Sequence, residues 1–334
     1  MKHWDEVLNM VKNDDNGKWD AMESVKNLRM NPAGKLELNE IPATAPVEKN
    51  GGLGFTDHAF GQLCGRLEIP AKYMRRLPSE LRATCMNYDL LKLGSQDAGK
   101  EFLIRAKGNA VRGILSDKYS RIDNNEIVEI FNGLASDFQN QVREFHIDDR
   151  GIWMKILIDD LRAWDPSHRA SELKMGLLIG NSEVGCRAVS VEPFVYREAC
   201  TNDMVTQMES SVRIQHIHIK PAQLRMMVAE SMNKALKAGD EVMDRFVKAY
   251  EETVDRPSDV IAALAAKRGL SQEKTDAAKL AFAAEPMDNK FGVINAFTAT
   301  ARQLNGDDRV DMERFAGSLL KADLSRVKLD EVSV

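Results

Sequence analysis

Apolar positions recur at three- and four-residue intervals in some stretches of the chain and at alternate positions in others. Near the start, Trp4, Leu8 and Val11 fall at helical spacing before the polar turn formers of 13–17 end the pattern. Gly51, Gly52 and Gly54 follow the stretch from Pro42 to Pro46, so a flexible connection is expected to close just before Thr56. Thr56 is placed to cap a helix running to Leu67, with Ala59, Phe60, Leu63 and Leu67 on one face. Pro70 suits the first turn of a second helix through Leu77. This pair reads either as a DNA-reading helix-turn-helix, with Lys72, Arg75 and Arg76 on its second helix, or as a helical corner packed in the core.

Beyond 100 the period shortens. Phe102, Ile104, Val111, Ile114 and Leu115 flank Lys107, Gly108 and Asn109, which fits a hairpin. A helix starting at Asn124 or Asn125 carries Ile127, Ile130, Phe131 and Leu134; strands are expected over 141–147 and 152–158, then 177–179, 188–195 and 212–219. Past Pro221 the helical period returns over 224–250, 260–267, 272–284 and 293–304, broken by Pro257, Gly269 and Pro286. The expected fold class is α+β, a largely antiparallel central sheet with flanking helices and a mostly helical C-terminal third. Residues 1–54 read as a peripheral segment, 55–222 as the α+β core, and 223–334 as a helical region that packs on that core or forms a subdomain.

Charge changes this picture locally. The 334 residues carry 46 Lys and Arg against 51 Asp and Glu, a net charge of -5, which excludes a globally polycationic nucleic-acid coat. Yet 61–123 hold 12 basic and 7 acidic side chains, a candidate anion-binding face. Its hairpin supplies Arg105, Lys107, Arg112, Lys118 and Arg121, with Tyr119 and Phe102 available to stack on bases. No apolar run approaches the roughly 18 residues that span a bilayer, and Asp5, Glu6, Asp14 and Asp15 stand where a leader would be apolar, so a soluble cytoplasmic protein without a membrane partner is expected. Cys64, Cys85, Cys186 and Cys200 form no CxxC pair, which argues against zinc and for reduced, packed thiols.

The densest polar chemistry lies at 175–205. Asn181, Ser182 and Glu183 sit between Gly180 and Gly185, Arg187 and Arg197 can grip phosphate or carboxylate in a fork, and Cys200, Thr201 and Asn202 offer short donors; the competing reading is a polar hairpin with satisfied turns. GxSxG, P-loop and HExxH motifs are absent. Asp148, Asp149, Asp159 and Asp160 form adjacent pairs whose members point to opposite faces of a strand, and His216 with His218 lacks a third ligand nearby. Nothing in the sequence pairs Cys200 with a histidine base. No catalytic residue, metal or cofactor is therefore expected.

The blocks FTDHAFGQLCGRLEIPAKYMRRLP, FLIRAKGNAVRGILSDKYSRIDN, GLLIGNSEVGCRAVSVEPFVYREACTNDMV and FGVINAFTATARQLNGDDR, in that order over roughly 50–315, resemble domain-of-unknown-function family 932, phage- and plasmid-like proteins also found in prophages. The resemblance implies a mobile-element origin and a role near DNA metabolism, and marks Arg105, Arg112, Ser116, Asp117, Tyr119, Asn181, Ser182, Glu183, Arg187, Arg197, Cys200, Thr201, Asn202, Asn295 and Thr298 as a candidate surface. The resulting expectation is a homo-oligomeric nucleic-acid-binding protein, acting in single-stranded DNA binding, annealing or recombination. Its interface is expected to be Arg105, Lys107, Arg112, Lys118, Tyr119, Arg121, Asn181, Ser182, Arg187, Arg197, Thr201 and Asn202. The alternatives are a module that captures a host or phage protein and a metal-dependent nuclease.

Overall fold

The structure is a computed structural model that describes residues 2–47, 51–135, 140–164, 172–197, 202–205 and 211–327. Helix α1 (Trp4–Asp15) precedes strand β1 (Lys18–Ser24), and two short strands, β2 (Arg29–Met30) and β3 (Leu36–Glu37), pair with each other. Strand β4 (Gly54–Phe55) leads into α2 (Asp57–Arg66), α3 (Ala71–Met74) and α4 (Ser79–Gln96). The hairpin of β5 (Glu101–Lys107) and β6 (Ala110–Ser116) turns through Gly108 at a positive φ of 51°. These strands make a four-stranded sheet in the order β1-β5-β6-β4, antiparallel except where β4 joins β6.

Helix α5 (Asn124–Ala135) crosses to a larger antiparallel sheet. There β7 (Asn140–Asp148), β8 (Gly151–Trp164), β9 (Glu172–Asn181) and β10 (Val189–Arg197) lie side by side. The outer edge of β10 is covered at one end by β11 (Asn202–Val205) and at the other by β12 (Val212–Ile214). Six helices follow: α6 (Pro221–Lys237), α7 (Gly239–Lys248), α8 (Pro257–Arg268), α9 (Gln272–Ala284), α10 (Lys290–Ala301) and α11 (Gly306–Ser318). The fold is α+β with antiparallel sheets and a helical C-terminal region, as the periodicity predicts. None of the helices described is long and apolar enough to cross a membrane.

Alternation along the strands decides what covers each face. Ile152, Met154 and Ile156 of β8, with Leu177 and Ile179 of β9, point to the side taken by α1, α5 and α6. Trp153 and Leu157, with Leu178, Phe194 and Tyr196, point to the other side, where Val310 of α11 closes over them. Gly176 lies beneath Phe194, and a Cβ there would come within 2.5 Å of the ring, so this crossing needs a glycine. A third core fills the space between the small sheet and α2 to α4, and a fourth lies among α7 to α11.

Several elements differ from the sequence reading. Residues 1–54 are not peripheral: Val7 and Val11 of α1 are fully buried against the large sheet, and β1 is the edge of the small one. The second helix expected through Leu77 is a single turn, α3, because Pro78 restarts the chain into α4, a helix the periodicity does not announce. The single helix expected over 224–250 is two, divided at Ala238 and Gly239. The strand expected over 212–219 stops at Ile214, and β11 and α11 are additional elements.

Beneath α11 the apolar face holds charge. Lys155 and Glu313 are buried and bonded at 2.7 Å, Arg309 joins Glu313 to Glu144, and Arg314 grips the buried Glu192 with two bonds. Removing one member of such a set leaves a buried charge short of its partner, which costs more than the pair itself contributes. Lys155→Met should lower stability by about 3 kcal/mol in urea unfolding, and adding Glu313→Leu should restore part of that loss.

Candidate functional site

The loop between β9 and β10 enters the molecule instead of projecting from it. Asn181, Ser182, Glu183 and Val184 are buried, and Gly185 makes the turn at a positive φ of 77°, where a Cβ would meet Leu115 at 2.8 Å. Glu183 accepts from Lys18 Nζ at 3.0 Å, Arg112 Nη2 at 2.8 Å and the backbone N–H of Asn124 at 2.9 Å. Burial alone would raise its pKa; the charges of Lys18 and Arg112 and the Asn124 N–H outweigh that and hold the carboxyl below its ordinary range. Arg105 donates to Asp20 at 2.9 Å, to Asp123 at 2.5 Å and to the Glu183 carbonyl at 3.0 Å. Asn181 donates to Asn124 Oδ1 at 2.9 Å, and the Ser182 hydroxyl donates to the Arg150 carbonyl while accepting from the Cys186 N–H.

The residues expected to share a nucleic-acid face are thereby divided. Arg105 and Arg112, each 4% exposed, turn inward onto carboxylates, because their neighbours in space are β1, α5 and the β9–β10 loop. Lys107 pairs with Asp14 at 2.8 Å, Arg121 stands 3.6 Å from Asp20, and exposed Lys118 is the one member of the hairpin group without a partner among the described residues. Tyr119 donates to the Ser182 carbonyl and stacks on buried His216. Arg187 pairs with Asp307, and Arg197 is buried against Glu285 and the Phe291 ring. Asn202 opens β11; its side chain, Thr201 and Cys200 lie outside the described residues, as do the side chains of Asp159 and Asp160. Asp148 accepts from the backbone N–H groups of Arg150 and Gly151, closing the β7–β8 turn. His216 is buried and His218 is exposed, so they do not share a strand face. Among the described residues, no three His, Cys, Asp or Glu side chains gather as metal ligands.

Two open surfaces flank the α2 N-terminus, where Thr56 Oγ1 accepts from the Ala59 N–H. On one side, Phe55, Asp57, Phe60, Arg75 and Arg82 line a pocket of about 380 Å³. The Arg75 and Arg82 guanidiniums stand 5.1 and 5.7 Å from the Phe60 ring centroid, and Arg82 Nε is buried without a hydrogen-bond partner among the described residues. Arg75 pairs with exposed Asp57, whereas Lys72, Arg76 and Tyr73 on the same turn are exposed.

On the other side, the Cys186 sulfur lies 3.3 Å from His58 Nε2 and 3.5 Å from Nδ1, at the wall of a cleft of about 270 Å³ between the β9–β10 loop and α11. Burial would push the Cys186 thiol up, but the hydrogen bonds and charges of His58 and Arg150 prevail and lower it. The bond to Cys186 raises the His58 pKa against the effect of burial. The two residues are 128 positions apart, so no local motif announces the pair.

The sequence model of one family, domain of unknown function DUF932, matches residues 111–319. The chain belongs to the DUF932 family. No curated protein and no solved structure matches it. The DUF932 segment contains Arg112, Glu183 and Cys186, while Lys18, Arg105, His58, Arg75 and Arg82 precede it. The buried carboxylate and the cleft thiol of the DUF932 segment thus take partners from the chain ahead of it.

Two titrations follow. Glu183 has a lower pKa folded than unfolded, so its stabilisation is present above about pH 4.5 and is lost as pH falls through the folded value. Glu183→Gln should cost about 3 kcal/mol at pH 7 in chemical denaturation, with the gap to wild type closing in acid. His216 is 4% exposed, and burial lowers its pKa to about 4. Only the unfolded chain takes up its proton between pH 6.5 and 4, so stability falls with pH across that window. His216→Phe, which keeps the ring against Tyr119, should remove about 2 kcal/mol of the difference between pH 7 and pH 5.

Proposed function

We propose that this DUF932 protein binds single-stranded DNA, with the phosphodiester backbone following the cations of α3 and the start of α4. The observation that carries this reading is the set of exposed cations beside aromatic rings at that corner. Lys72 and Arg76 have no carboxylate partner among the described residues, Arg75 and Arg82 flank Phe60, and Tyr73 is 58% exposed. Arg75 and Arg76, in the turn that follows α3, lie three and four residues beyond Lys72, a spacing that presents a row of charge to a polyanion. Bases stack on tyrosine faces and on guanidinium planes without regard to sequence, which suits a single strand. Duplex reading is disfavoured because α3 has only four residues, too few to lie along a major groove as a recognition helix. The negative total charge is no obstacle, since only the contacting face must be positive.

This interface replaces most of the hairpin cations with those of the α2–α4 corner. A mobile-element protein that handles single strands needs such a face and, for annealing, self-association; it needs no cofactor. Fluorescence anisotropy with labelled single- and double-stranded oligonucleotides, from about 50 to 300 mM salt, tests the reading, with light scattering on the same samples for oligomers. Arg75→Ala with Arg82→Ala should weaken single-strand binding and flatten the slope of log K against log salt by about 1.4, while Lys267→Ala with Arg268→Ala on α8 leaves both unchanged. Wild-type protein that ignores both kinds of oligonucleotide at low salt would refute the reading.

A further inference from the structure

The cleft beside α11 holds a thiol that DNA binding does not use. His58 Nε2 lies 2.9 Å from the Val184 carbonyl oxygen, which can only accept, so Nε2 carries the proton and donates to it. The Cys186 sulfur lies 3.3 Å from Nε2 and 3.5 Å from the unprotonated Nδ1, so the basic nitrogen is within reach of the thiol. A nucleophile, a base within reach of it, and a third group that orients the base are therefore assembled from α2 and the β9–β10 loop. Cys64 shows the contrast within one chain: it is fully buried among apolar side chains, and burial raises its pKa, as befits an inert packed thiol. Cys186 is only half-buried and opens on the cleft.

The cleft also indicates what would enter. Arg187, Arg213 and Arg314 line it; Arg187 is paired with Asp307 and Arg314 with Glu192 and Asp311, whereas exposed Arg213 has no partner among the described residues. Arg150 is half-exposed, pairs with Asp307 at 3.3 Å, and lies near enough to Cys186 to favour its thiolate. One guanidinium without a partner among the described residues, that of Arg213, therefore stands in the same small cleft as the thiol, and the Arg150 guanidinium, paired with Asp307, is near the sulfur.

We propose that Cys186 is the nucleophile of an acyl-transfer site, with His58 as its base and Arg213 as the anchor for a small acyl substrate, an ester or thioester that carries a carboxylate or phosphate. His58 Nδ1 takes the thiol proton, and the sulfur attacks the carbonyl carbon, forming the S–C bond while the carbonyl π pair moves to oxygen beside the Arg150 guanidinium. Collapse of that intermediate breaks the bond to the leaving group, which departs with the proton from His58. A water deprotonated by His58 then attacks the thioester carbonyl, the C–S bond breaks, and the sulfur regains the proton. The sum is acyl compound plus water to acid plus alcohol or thiol.

The test uses the full chain with the thiophenyl thioester of succinic acid, which is anionic, and with neutral acetyl thiophenyl ester. Thiophenol release is followed in solution and the acyl adduct is located by mass spectrometry. An adduct on Cys186, release abolished by Cys186→Ser and slowed about 100-fold or more by His58→Ala, is the expected result. Arg213→Ala should raise KM for the succinyl ester and leave the acetyl ester unchanged. A measurement on wild type alone guards against variants that misfold: iodoacetamide labelling of Cys186 should persist at pH 6, where labelling of a free thiol such as glutathione in the same buffer falls away. Decline of Cys186 labelling in parallel with the free thiol, or equal turnover of the anionic and neutral esters by wild type, would overturn the proposal.

Discussion

A carboxylate with no exposure to water must be neutralised by donors that come to it, and Glu183 draws its donors from three separate parts of the chain. Lys18 comes from the start of β1, Arg112 from β6, and the Asn124 N–H from the first turn of α5. Each lies on a different element, and the carboxylate itself stands in the turn joining β9 to β10 in the large sheet. The small sheet therefore cannot slide over the large one without stranding a buried charge. Hydrophobic burial is indifferent to small displacements along an apolar face, whereas a set of short charged hydrogen bonds fixes orientation as well as contact. Arg105 repeats the device a few ångströms away, joining Asp20, Asp123 and the Glu183 carbonyl.

This explains why the elements were more legible in the sequence than the roles of their residues. The turn at Gly108, the cap at Thr56 and the limits of α9 rest on neighbours a few positions away, and periodicity reports those directly. The α4 helix is less visible because its buried positions, Ala83, Met86, Leu90 and Gly94, include small residues, and Leu81, Tyr88 and Leu91 face outward. Whether an arginine meets water or a carboxylate depends on what packs across from it. Glu183 and Lys18 are 165 positions apart, and Cys186 and His58 are 128 apart; no window along the chain contains either pair. The positive excess of 61–123 was real as a count, but its β5–β6 part faces inward, onto Asp123 at the end of that stretch and onto Asp14, Asp20 and Glu183 from outside it.

Partnering therefore separates the cations into two populations. Those on β5 and β6 alternate with apolar neighbours on a sheet that is covered, so they must be paired to be buried at all. Those of α3 and the turn after it project from a corner, where water solvates them and an ion pair would contribute little. A cation of the second kind can exchange its solvation for a ligand's charge without disturbing the fold, which is the physical requirement for a binding residue. Lys72 and Arg76 meet that requirement; Arg105 and Arg112 do not.

The two open surfaces share α2 as a common wall. Asp57 in its first turn pairs with Arg75, and the next residue, His58, meets Cys186. One turn further on, Gln62 donates to the same Val184 carbonyl that orients His58, and accepts from the Ile114 N–H of β6. Phe60 and Leu63 hold the opposite side of α2 in the core, so the helix cannot yield at one surface without moving at the other. A ligand that shifted α2 by drawing on Arg75 would alter the distance between His58 and Cys186, because both contacts arise from adjacent residues of one rigid turn.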